Sequence, residues 1–369
     1  MLLKAHWAHR FCNPIHWYSG SISSLLTYRM IQKLLSSHDL RDLRNRRLRS
    51  AALVVAVSIF VFGGLSAASY CVGIRSNPDS CFLDPNRAPT RDEANVAQLV
   101  NYALRSDEAN VAIFIGDSAC AAGINPNALS FPAWNLASCR GFGPAGFSLI
   151  TKAYLKGHPR PGAIILVATP FCFEVDPSTL GSGEYADRIA AAYGPEVGGS
   201  EVLRIAFIAK RGAVSLLRST DVRDMPLIGL EQETCRTYEA KMRKSRGFHF
   251  LPAIRGKGQG VPWERPEIPV HPDWDSGIRS IADACKECGV PLLIRFAPID
   301  SAVRAARDWS QLERWASELE GSQPNVTVAR PIVLAYEPRF MWDAMHLNAA
   351  GVEKFMPVVA KDVQAVLGN

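Results

Sequence analysis

At 369 residues, 48% hydrophobic and 21% charged, the chain has the composition of a globular protein with a full core, which excludes a disordered or fibrous class. The formal charge of +6 is local: residues 1–50 carry nine Lys/Arg against two Asp, and the remainder carries 32 basic against 33 acidic residues. A main domain without excess positive charge is not patterned for nucleic acid, and no nucleic-acid partner is expected.

In chain order, a basic segment comes first. Arg41, Arg44, Arg46, Arg47 and Arg49 lead into residues 51–74, which hold 24 residues without a charge. About 20 apolar residues suffice to span a bilayer. Arginines clustered before the span place the N-terminus in the cytoplasm. The expected organisation is a cytoplasmic segment over 1–50, a single transmembrane helix over 51–74, a Pro-containing linker over 75–92 and a domain over 93–369. That domain would lie on the periplasmic or extracellular side of the inner (cytoplasmic) membrane. Leu65-Ser-Ala-Ala68 resembles a signal-peptide cleavage site, but the length of the apolar run favours an uncleaved anchor. Of nine cysteines, those outside the cytoplasm could form disulfides, whose connectivity sequence does not give.

Helical spacing of Val96, Leu99, Val100 and Leu104 predicts a helix over 93–104. Val111 to Ile115 is a continuous apolar run ending in Gly116-Asp117-Ser118, as for a strand buried on both faces. Small residues after Ser118 suit the start of a helix, whose N–H groups favour developing negative charge beside the serine. A helix is expected over 147–155, and Ala163–Ala168 is another apolar run, read as a further central strand. Further on come a helix over 275–288, a strand over 290–298, a helix over 310–319, a short strand over 325–333 and a closing helix over 352–366. Strands alternating with helices predict parallel βαβ units. Between them, residues 174–275 form a long insertion with helical patches at 186–192 and 201–217, placed where a lid or a partner surface could stand.

The chemistry-bearing residues lie at the two ends of this domain. Ser118 follows the first strand, and Asp343-x-x-His346 precedes the last helix. A serine hydroxyl becomes a nucleophile when a base lies within about 3 Å and an acid orients that base. Gly116-Asp117-Ser118, followed far downstream by Asp343-x-x-His346-Leu347-Asn348, resembles the first and last blocks of the SGNH/GDSL hydrolase superfamily. That resemblance covers roughly residues 108–366. It implies a three-layer α/β/α fold with a five-stranded parallel sheet, flavodoxin-like. It also implies Ser118 as nucleophile, His346 as base and Asp343 as the orienting acid. Gly141, on the match of Asn135 to Gly141 with the second block, would form the oxyanion hole together with the Ser118 N–H; it also reads as a turn glycine among Gly141, Gly143 and Gly146. Asp117 is expected to cap the turn around Ser118.

The chain departs from the family at the third block. Where Gly-x-Asn-Asp is expected, it reads Ala168-Thr169-Pro170. Loss of an oxyanion donor costs about 10²–10³ in turnover, and Thr169 or nearby backbone groups are the candidates to replace it. What the resemblance implies is a membrane-anchored serine esterase or O-acyltransferase acting on acyl esters of cell-envelope glycans or lipids. A membrane acyl-donor protein is a possible partner, and neither cofactor nor metal is called for. The competing expectation is a non-catalytic scaffold of the same fold that binds glycan in envelope assembly. Cys285-x-x-Cys288 has redox or zinc-like spacing but no second Cys/His pair nearby. The glycines of 255–260 lack the strand and Lys-Ser/Thr pair of a phosphate loop. His249 and His271 read as surface or packing histidines.

Overall fold

In the computed structural model the described residues are 91–105, 108–138, 142–180, 182–194, 204–206, 240–248 and 267–368, together with Val54 and Ser58. Apart from those last two, the basic segment, the anchor expected over 51–74 and the linker up to residue 90 lie outside them. Among the described residues no helix is long and apolar enough to cross a membrane.

The apolar runs become strands β1 (Ala112–Gly116), β2 (Ala133–Asn135), β3 (Ala163–Ala168), β4 (Leu292–Phe296), β5 (Ile299–Asp300), β6 (Val326–Val328) and β7 (Ala335–Tyr336). Five form one parallel sheet in the order β2-β1-β3-β4-β6, and β5 pairs with β7 separately. Every residue of β1, β3 and β4 is buried, which is why these strands read as near-continuous apolar runs, with Arg295 alone charged, rather than alternating ones. The chain leaves β1 toward β2 on one side and reaches β3 on the other. Such a reversal opens a crevice at the carboxyl ends of the strands, and Ser118 stands there.

The named helices are α1 (Arg91–Arg105), α2 (Ser118–Gly123), α3 (Gly143–Gly157), α4 (Ser182–Tyr193), α5 (Pro272–Glu287), α6 (Ser301–Ala305), α7 (Ser310–Ser322) and α8 (Ala349–Leu367). Alternate strand residues sort them into two layers. Ile113, Ile115 and Leu166 pack with Leu99 of α1, Ile150 of α3, Ile281 of α5 and Leu312 of α7. Phe114, Ile165 and Leu293 pack with Cys120 of α2 and with Phe355 and Val359 of α8. The result is the three-layer α/β/α arrangement with a five-stranded parallel sheet that the sequence implied.

A buried cation ties α8 to the sheet. Arg295 of β4 is 1% exposed and pairs with Asp362 of α8 at 2.6 Å. It also donates to the carbonyls of Pro331 at 2.9 Å and Arg330 at 3.3 Å. The strand expected over 325–333 stops at Val328, and beyond it the carbonyls of Arg330 and Pro331 turn to Arg295. Of the insertion at 174–275, the described parts include helical turns at α4, 204–206 and 240–245, and the rest lies outside the described residues. Cys285 is buried, Cys288 is exposed, and both are free thiols. Burial, and secondarily Cys288, pushes the Cys285 thiol up to about 12. That disfavours the thiolate a metal or redox role requires.

Candidate active site

The turn that presents Ser118 begins at Gly116, whose φ is +149°. A Cβ there would lie 1.7 Å from the Val167 carbonyl oxygen, so glycine is obligatory where β1 turns beside β3. Asp117 follows, 1% exposed, and caps α2: its Oδ1 accepts from the N–H groups of Ala119 at 2.9 Å and Cys120 at 3.4 Å. Its other oxygen reaches the loop after β3. Oδ2 accepts from the Thr169 N–H and hydroxyl, each at 2.8 Å, and from the Cys172 thiol at 3.1 Å. One buried carboxylate thus joins the Ser118 turn to the loop after β3.

This corrects the expectation for Thr169. Both its donors are directed to Asp117, so it is a brace for the Ser118 turn and not an oxyanion donor. The N–H groups of Ala119 and Cys120 are likewise engaged. The Ser118 N–H remains as the donor that α2 offers. Gly141, the other expected donor, lies outside the described residues.

Asn135 holds α2 from the opposite side. It is fully buried, and its Nδ2 donates to the carbonyls of Cys120 and Ile124, each at 3.0 Å. Its Oδ1 accepts from the Ala137 N–H at 2.9 Å. The ladder to β1 continues past β2, with the Ser138 N–H donating to the Gly116 carbonyl at 3.0 Å.

The downstream motif meets this turn. His346 Nε2 lies 2.9 Å from Ser118 Oγ, and His346 Nδ1 lies 2.8 Å from Asp343 Oδ2. The second carboxylate oxygen, Oδ1, accepts from the N–H groups of Met345 and His346, each at 2.8 Å. An ionised carboxylate only accepts, so Nδ1 carries the proton and Nε2 turns its lone pair to the serine hydroxyl. Burial acts to raise the Asp343 carboxyl. The hydrogen bond and charge of His346 and the two backbone N–H groups outweigh burial, and the net position is below the ordinary value of 3.8. Asp343 is therefore an anion at neutral pH, as an orienting acid must be.

The loop is fixed by its own backbone. The Trp342 N–H donates to the His346 carbonyl at 2.7 Å, and Met341 bridges Leu347 in antiparallel fashion. Asn348 caps α8 by accepting from the Gly351 N–H at 3.0 Å and donates to the Arg339 carbonyl at 2.7 Å. The helix starts at Ala349, three residues beyond His346, with Gly351 buried in its first turn. The Trp342 ring stands edge-on to His346 with centroids 6.2 Å apart.

Other candidates separate from this group. His271 caps α5, its Nδ1 accepting from the Asp273 N–H at 3.3 Å. With Asp176 and Asp273 it forms the one group among the described residues with three potential metal-donor atoms within 4.8 Å, and Asp273 is exposed. His249 lies outside the described residues. Cys172 was missed from sequence, and Thr169 and Asn135 were named there without the bracing roles they hold. Their signal is adjacency of β1 to β3 and β2, which local pattern does not carry. No family model and no curated protein matches the chain.

Proposed function

We propose that the protein is a serine esterase or O-acyltransferase of the SGNH/GDSL type. One observation carries this reading: His346 bridges Ser118 at 2.9 Å and Asp343 at 2.8 Å, joining segments 228 residues apart in the chain. The strand order β2-β1-β3-β4-β6 supports the finer, flavodoxin-like assignment, because that order places its switch point between the first and third strands.

In this mechanism His346 Nε2 takes the Ser118 proton as Oγ attacks an ester carbonyl. Asp343 holds the imidazole orientation and favours the imidazolium that forms. The Ser118 N–H, with Gly141 as the family match assigns it, donates to the oxyanion. His346 then protonates the leaving alkoxide, and an acyl-serine remains. Water, or a sugar hydroxyl deprotonated by His346, attacks it to give the acid or the transferred ester. Asp117 keeps the turn in register and takes no proton.

The arginine-flanked 51–74 segment supports a single-pass inner-membrane anchor with the domain outside the cytoplasm. A domain so placed would act on acyl esters of envelope glycans or lipids, and an ester or a membrane partner protein would supply any acyl group transferred. The test is a fluorophosphonate probe on the full chain. Labelling that disappears in Ser118→Ala supports the enzyme. Its absence in the wild type favours the non-catalytic scaffold.

A further inference from the structure

Residues 240–248 carry Lys241, Arg243, Lys244 and Arg246 and no acidic residue. A run of charge alone marks a solvated face. What sets this one apart is its attachment and its backbone. Arg246 has φ +50° and is the only non-glycine described residue in the left-handed region. That conformation costs a residue with a Cβ stability, and such strain persists where surrounding contacts impose it. Here the imposing contact is visible: the Asn135 N–H donates to the Arg246 carbonyl at 2.9 Å. Gly247 follows at φ +84°, where a Cβ would lie 1.8 Å from the Asn135 carbonyl oxygen. The Asn127 side chain adds a bond to the Lys244 carbonyl at 3.3 Å. Asn135 is the residue that clamps Cys120 of α2 and Ile124 just after it, so the basic turn is pinned to the helix that begins at Ser118. Lys244 is exposed, Arg246 half-buried. Neither takes part in an ion pair among the described residues.

A glycine at 246 would accept this φ without strain. The sequence places there a planar cation whose paired donors match carboxylate and phosphate oxygens. We propose that residues 240–248 form a cationic recognition surface beside Ser118, with Arg246 its fixed member, that selects a glycan carrying carboxylate or phosphate groups as the ester substrate or acyl acceptor. This rests on the esterase or acyltransferase reading. A glycan is favoured over a lipid surface because the turn is locked by backbone hydrogen bonds onto Asn135, the residue that supports the Ser118 helix.

The experiment uses the full chain in detergent and two acetylated polymers, a polyuronate and a neutral glucan. The expected result for Arg246→Gly is a fall of about tenfold or more in the ratio of kcat/KM for the anionic over the neutral polymer, seen in KM, since one charge-assisted contact is worth that much. Arg246→Lys restores most of the ratio, and Arg246→Gly melts no lower than wild type because glycine relieves the backbone. A second arm needs no turnover: Ser118→Ala protein binds unacylated polyuronate, and adding Arg246→Gly weakens Kd about tenfold. If that Kd shifts while Ser118 takes no fluorophosphonate, the surface stands and the catalytic reading falls. If ratio and Kd are both unchanged, the proposal is overturned. It is also overturned if Arg246→Gly abolishes binding to phosphatidylglycerol vesicles and leaves the polyuronate Kd intact, which would assign the surface to the membrane.

Discussion

Replacing Asp117 with asparagine keeps the shape of a side chain that is 1% exposed and accepts from five donors. The amide has one accepting oxygen. It can serve the N–H groups of Ala119 and Cys120 or that of Thr169, and its NH₂ then faces the other set. The Thr169 hydroxyl and the Cys172 thiol can rotate to accept, but a backbone N–H cannot. At least one buried N–H therefore loses its partner, at about 1–3 kcal/mol, and the surviving bonds lose their charge assistance, about 1 kcal/mol each. Relief from burying a carboxylate offsets part of this. The net expectation is a loss of about 2–4 kcal/mol, or about 5–15 °C in melting temperature for a domain of this size. Because the same carboxylate sets the Ser118 turn against the loop after β3, fluorophosphonate labelling of the folded variant should also slow by about tenfold or more. Thermal melts and labelling time courses on full-length protein check both. An Asp117→Asn protein that melts and labels like wild type would refute the reasoning.

Three further outcomes are expected. His346→Ala and Asp343→Asn each slow Ser118 labelling by about 10³–10⁴-fold while the fold survives, as loss of the base or of its orienting acid should; thermal melts run in parallel separate this from unfolding. The Asp343 carboxyl titrates below its ordinary value in the folded state, so its contribution to stability is present above the unfolded value of about 3.9 and is lost as pH falls through the lower folded value. The melting-temperature gap between wild type and Asp343→Asn should accordingly close below about pH 4; a gap that persists there contradicts it. Arg295→Met leaves Asp362 and two carbonyls without their cation and should cost about 3–5 kcal/mol in urea unfolding, and the Arg295→Met, Asp362→Leu double variant should recover most of that.

Much of this architecture is legible along the chain. Val111–Ile115 and Ala163–Ala168 are apolar without interruption because both faces of a central parallel strand are covered, and each became a strand within one residue of expectation. Arg295 sits inside such a run without breaking it, because its partner Asp362 lies 67 residues away on α8, a contact no local pattern reveals. The short pair β5 and β7 has too few residues for any periodicity. In the site, Ser118, Asp343 and His346 were legible because the last two share one short loop with fixed spacing. The role of Thr169 was not. A third-block position without asparagine looks like a missing donor, and only the packing of β1 against β3 turns it into a brace for Asp117. Arg246 was equally hidden, since its left-handed backbone follows from a hydrogen bond to Asn135, 111 residues earlier.

The most direct measurement is peptide mass spectrometry of the full chain after brief exposure to a fluorophosphonate. A serine activated by His346 and Asp343 predicts a single phosphonyl adduct on the peptide containing Ser118, lost when His346 becomes alanine. An unmodified Ser118 in folded wild-type protein, or an adduct that forms equally fast without His346, contradicts a nucleophile made by that contact.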